Sequence, residues 1–154
     1  MGTWSRDELE SAFQRYQELA GVAGRTGDWK AWADQFTEDA VYIEHHYGTM
    51  QGREAIREWI GKTMAEPINR DMSSFPIRWY VIDEERGWII ASVINRMEDP
   101  GDGSVHECDN WTMLHYAGAG KFSYEEDVYN PKEFADMIGG WMRAKKALGG
   151  AAPA

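Results

Sequence analysis

Tyr42, Glu44 and His46 put a phenol, a carboxylate and an imidazole at alternate positions of one short stretch. Strand residues alternate faces, so these three share one face, and Val41, Ile43 and His45 share the other. A carboxylate set among apolar side chains is pushed toward the range useful to a general base. Glu44 is therefore the first candidate for a catalytic base that takes a proton beside a carbonyl or activates water. Tyr42 and His46 are candidates to orient it or to act as its acid partner. The adjacent pair His45-His46 is a poor metal site, because neighbouring strand residues point apart and their spacing matches no common ligand pattern.

Further along, Asp127 lies in Tyr124-Glu-Glu-Asp-Val-Tyr129, where alternation places Glu125, Asp127 and Tyr129 on one face. Asp127 is a second catalytic candidate, and Tyr129 would reach the same site. Asn95 interrupts an apolar run and needs hydrogen-bond partners. Asn110 and Thr112 share a face of the next stretch with His106, Cys108 and Leu114, while Trp111 and Met113 form a competing inward set. These polar groups could bind substrate. No Ser-His-Asp or Cys-His arrangement can be read, and no Gly-rich loop introduces a helix; Ala117-Gly-Ala-Gly120 reads as a hairpin turn.

The elements that must hold these residues are legible. Ser5-Arg-Asp-Glu8 is a capping box, and Leu9, Phe13, Tyr16, Ala20 and Ala23 follow as one apolar helical stripe. Asp28 can cap a second short helix with Trp29, Trp32, Ala33 and Phe36 inward. A strand over 40–46 follows. A third helix from about Arg53 to Glu66 buries Ile56, Trp59, Ile60 and Met64 and stops at Pro67. Ile77–Asp83, Trp88–Met97, Val105–Tyr116 and Phe122–Tyr129 read as strands joined by short turns, an antiparallel meander. Asn130-Pro131 starts a last helix with Phe134, Met137, Ile138 and Trp141 inward. The order predicts an α+β fold: a curved antiparallel sheet wrapped over helices, leaving a conical cavity. One domain over 1–148 and a loose tail over 149–154 are expected.

Composition narrows the function. In 154 residues there are 8 Trp, 7 Tyr and 5 Phe, which suits both core packing and a pocket for a cyclic apolar ligand. Trp32 and Trp59 are candidate walls of that pocket. The net charge of −10 repels phosphate backbones and anionic lipid, so nucleic acid and membranes are unexpected partners. Cys108 is the only cysteine, which excludes an internal disulfide and a cysteine-based zinc site. The charged N-terminus does not read as a signal peptide, and no apolar run would span a bilayer. A cytoplasmic protein without cofactor or metal is expected.

Gly27-Asp28-Trp29, Phe36-Thr-Glu-Asp39-Ala40, Gly52-Arg-Glu-Ala-Ile56 and Gly118-Ala-Gly-Lys121 give the chain a further likeness. It resembles the nuclear transport factor 2-like superfamily, in particular its SnoaL-like branch, from about Leu9 to Trp141. Ketosteroid isomerases, limonene-epoxide hydrolases and scytalone dehydratases share that superfamily. The resemblance implies the cone-shaped fold and says little about the reaction, because one fold hosts many chemistries. It sets the isomerases' carboxylate base on Glu44, their second acid on Thr112 and their tyrosine on Tyr16. It sets a catalytic carboxylate of the epoxide hydrolases on Asp127 and their water-holding pair on Tyr42 and Glu44. Their Arg-x-Asp pair falls on Val93 and Asn95, so that mechanism is not expected here. Isomerisation, aldol-type cyclisation or dehydration of a small apolar cyclic molecule is implied, with a homodimer paired through the outer sheet face. A non-catalytic ligand-binding or interaction module of the same fold is the alternative.

Overall fold

A computed structural model describes residues 2–150. Helix α1 (Arg6–Thr26) starts where Ser5 Oγ accepts the Glu8 amide, and ends at Gly27 in the left-handed conformation, φ 78°. Its predicted stripe is all buried: Leu9, Phe13, Tyr16, Ala20 and Ala23. The N-cap of the single turn α2 (Lys30–Ala33) is Trp29, without a side-chain bond; Asp28, expected as the cap, stands one residue earlier and accepts the Lys30 amide at 3.0 Å. Phe36, expected at the end of that helix, instead opens strand β1 (Phe36–Glu44). The chain reverses after Glu44 into the short strand β2 (Gly48–Gln51), which the sequence pattern did not reveal.

Helix α3 (Arg53–Ala65) ends before an extended Glu66, and Pro67 occupies the first position of a one-turn helix α4 (Pro67–Arg70). Pro67 thus separates two helices, because it suits a first turn but not an interior. Strands β3 (Met72–Ser74), β4 (Ile77–Asp83), β5 (Trp88–Met97), β6 (Glu107–Gly118) and β7 (Lys121–Tyr129) follow, then α5 (Pro131–Gly150). Asn130 Oδ1 accepts the Lys132 amide at 3.0 Å and caps α5. Gly149 and Gly150, expected in a tail, continue that helix; residues 151–154 lie outside those described.

The fold is α+β with a curved, unclosed sheet in the order β2-β1-β7-β6-β5-β3, β4 also pairing with β5. One expectation is corrected. The sheet is mixed, because β1 and β7 run parallel, with Tyr42 opposite Glu125 and Glu44 opposite Asp127. The meander from β4 to β7 is antiparallel as expected. The inner face of the sheet and the stripes of α1, α2 and α3 bury one main core. A smaller cluster of Met72, Met97, Cys108, Met137, Ile138 and Trp141 seats α5. Among the described residues no helix is long and apolar enough to cross a membrane.

Candidate active site

Strand alternation decides what enters the space between sheet and helices. On β1 the buried set is Phe36, Ala40, Tyr42 and Glu44; on β6 it is Cys108, Asn110, Thr112, Leu114 and Tyr116. The β6 ambiguity resolves this way, with Trp111 56% exposed on the opposite face. On β7, Glu125 and Asp127 are buried side by side along the strand. Together with β5 and helices α1 to α5 these strands line a cavity of about 630 Å³. Tyr16, Trp32, Tyr42, Trp59, Asn95, Asn110, Thr112 and Tyr129 line it, with Glu44 and Glu125.

Three carboxyl groups converge on this wall. Glu44 is 4% exposed, Glu125 1% and Asp127 7%. Burying three adjacent charges without cations is costly, so the donors around each decide which stays ionised. Glu44 accepts the backbone amides of His46 at 3.2 and 3.3 Å and of Tyr47 at 2.8 Å. Asp127 accepts the Tyr42 hydroxyl and, at 2.7 Å, the Thr112 hydroxyl. Glu125 has one donor, the Tyr16 hydroxyl at 2.7 Å, and its Oε2 has no partner. Burial first, and then the charge of Asp127, hold the Glu125 carboxyl well above the ordinary 4.5. Asp127 is also raised by burial, against the pull of Tyr42 and Thr112. Of the pair, Glu125 has the fewer donors, one hydroxyl against two for Asp127. Burial and these carboxylates raise the phenols of Tyr16 and Tyr42 well above 10, so both stay neutral donors.

The sequence candidates thus fall into two groups, with His46 and Glu44 standing apart. Tyr16, Tyr42, Asn110, Thr112 and Asp127 meet around the acid pair; Asp127 lies behind the cavity wall, covered by Tyr42 and Thr112. Trp32, Trp59, Asn95 and Tyr129 line the cavity without a bond to those acids. His46 departs from expectation. The strand stops at Glu44, so alternation no longer governs residue 46, and its ring is exposed at the mouth against Tyr47, centroids 4.9 Å apart. His45 pairs with Glu126 at 2.7 Å on the outer face. Glu44 occupies the expected buried position, but its donors are the amides of its own turn. Glu125 is the residue that sequence reasoning passed over. The available signal was its alternation with Asp127 and Tyr129. Among the described residues no group of three or more His, Cys, Asp or Glu side chains is arranged to hold a metal ion.

Comparison with known proteins agrees with this fold. The profile of the SnoaL-like domain matches residues 13–123. No curated protein sequence matches the chain. Among solved structures, an epoxide hydrolase from M. tuberculosis, similar to limonene-epoxide hydrolase, superposes with a TM-score of 0.66 at 11% identity, covering 96% of both chains. A putative polyketide cyclase from Xanthomonas campestris gives 0.62 at 19% identity, over 86% of this chain and 98% of the other. SalBIII, an epoxide hydrolase/cyclase-like enzyme of pyran ring formation in the polyether salinomycin, gives 0.64 at 14% identity, over 84% and 95%.

Proposed function

This chain belongs to the SnoaL-like domain family, and from that premise we propose that it is an acid–base enzyme needing no cofactor, which acts on a small, largely apolar, ring-containing molecule in its cavity. One observation carries the reading: the buried Glu125 carboxyl, bonded by Tyr16 and lying near Asp127 at the wall of an aromatic-lined cavity, where burial and the charge of Asp127 raise its pKa. A buried carboxyl with a raised pKa is what proton transfer near neutral pH requires.

The chemistry follows from one group working twice. Glu125 gives its proton to a substrate oxygen, a leaving hydroxyl or a carbonyl. The carboxylate so formed then removes a proton from the neighbouring carbon, which restores the acid. With a leaving hydroxyl the products are an alkene and water; with a carbonyl the result is an isomer through its enol. Asp127, held by Tyr42 and Thr112, raises the proton affinity of Glu125 and is not required to touch substrate. We give the proton to Glu125 rather than to Glu44, because the His46 and Tyr47 amides already occupy the Glu44 carboxylate.

The outer sheet face supports a homodimer. Trp79, Ser92, Trp111 and Val128 form one cross-strand row over β4, β5, β6 and β7. Trp79, Trp111 and Val128 are 40%, 56% and 52% exposed, and Val81 beside them 54%. An exposed apolar patch of this kind marks an interface. The same face would serve a non-catalytic dimeric ligand-binding module, so the acid decides between the readings.

The experiment is hydrogen exchange at the carbon beside the carbonyl of cyclic ketones in deuterium oxide, followed by NMR. The wild-type chain should accelerate exchange. Glu125→Gln should lower the rate by about 10²–10⁴-fold, the usual range for general acid–base catalysis. Equal rates in the two proteins would remove the mechanism.

A further inference from the structure

The cavity wall away from Glu125 has a chemistry of its own. Tyr42 and Trp59 lie 4.9 Å apart at 53°, and Tyr47 and Trp59 lie 5.9 Å apart at 63°. These rings pack edge-on against one another, and all three line the cavity. The Glu44 carboxylate is fixed beside it by the Tyr47 amide at 2.8 Å. Tyr129 also lines the cavity, and burial first, then Glu44 beside it, raise its phenol above the ordinary range. Among the described residues no lysine or arginine lines the cavity, whereas Glu44, Glu66 and Glu125 do.

We propose that Tyr42, Tyr47, Trp59 and Tyr129, with Glu44 as counter-ion, form a cage for a cationic amine substituent, so that the ligand is a cyclic apolar molecule bearing a tertiary or quaternary ammonium group. Aromatic faces attract cations, and quaternary ammonium groups are held in cages of this kind. A buried carboxylate gains most from a cation that sheds its water readily and arrives on an apolar body. The net charge of −10 steers cations toward the mouth and anions away. The inference rests on the cavity being the ligand site of the proposed function, and adds the class of molecule that enters it.

The test compares benzyltrimethylammonium with its uncharged carbon isostere, neopentylbenzene, by tryptophan fluorescence at pH 8. The wild-type chain should bind the ammonium about tenfold or more tightly than the isostere. Glu44→Gln, which keeps an acceptor for the turn amides, should remove most of that preference. Trp59→Leu should weaken the ammonium more than the isostere, which guards against a Glu44 variant that fails to fold. Equal or tighter binding of the isostere by the wild type overturns the proposal, as does no saturable binding of the ammonium, or a preference unchanged in both variants. Failure here is separable from failure of the catalytic reading, because the exchange assigned to Glu125 is measured on neutral ketones.

Discussion

Tyr16 and Glu125 stand 109 residues apart, and the Tyr16 hydroxyl donates to Glu125 Oε1 at 2.7 Å in the buried interior. This bond ties the first helix to the last strand at the acid proposed to carry the proton. It also leaves Glu125 Oε2 without a partner. A carboxylate there would need more donors, so the neutral acid is the form that the folded chain favours.

That preference makes stability depend on pH. Below about 4.5, the ordinary value for a glutamic acid, folded and unfolded chains both hold the proton, and the contribution is fully present. Above it the unfolded chain releases the proton while the folded chain retains it. Stability then falls as pH rises, until the folded group ionises. Glu125→Gln carries no such proton. Urea denaturation across pH 5–9 should show the variant gaining on the wild type by up to about 1.4 kcal/mol per pH unit. Parallel curves would show that Glu125 is ionised in the fold.

Tyr42→Phe removes the phenol that donates to Asp127 and leaves the ring in place. Thr112 alone then serves a buried carboxyl. The expected cost is about 1–3 kcal/mol by urea denaturation, the cost of an unmade buried hydrogen bond. Tyr124→Phe, whose hydroxyl donates to Glu126 in a part-buried position, should cost less. The reverse order would count against the acid pair as a structural centre.

Trp111→Glu places a charge in the middle of the exposed cross-strand row. Light scattering should give a wild-type mass of about twice the 17.6 kDa chain at micromolar concentration, and a monomer for the variant. A monomeric wild type would leave the outer face without its proposed partner.

Gly24→Ala should reverse the usual sign. Alanine normally stabilises a helix interior relative to glycine by about 0.5–1 kcal/mol. Here a Cβ would lie 2.5 Å from the Ser73 carbonyl oxygen, where α1 crosses β3. Backbone must shift, so a loss of about 1–3 kcal/mol is expected in thermal or urea unfolding. A more stable variant would mean that α1 and β3 separate easily.

Most of the elements and their faces were legible along the chain. The Ser5 cap set the start of α1, although the Glu8 carboxylate accepts the Tyr116 hydroxyl rather than closing the expected box, and a spacing of three and four chose the buried stripe. Alternation chose Tyr42 with Glu44, Asn110 with Thr112, and Glu125 with Asp127 and Tyr129. Those periods are local, because they follow from side-chain directions along one helix or strand. Short pairing partners escaped: β2 and β3 carry too few residues for a period to show.

The sequence by itself determined which side chains share a face, since a period of two or 3.6 is a property of the segment alone. Only the tertiary structure decided which faces meet. Parallel pairing of β1 with β7 set Tyr42 beside Glu125 and Glu44 beside Asp127. Packing of α1 across them brought Tyr16 to Glu125. The choice of Glu125 as the proposed proton carrier follows from that assembly. A carboxyl's affinity for its proton is set by the donors and charges that surround it, and here they come from segments far apart in the chain.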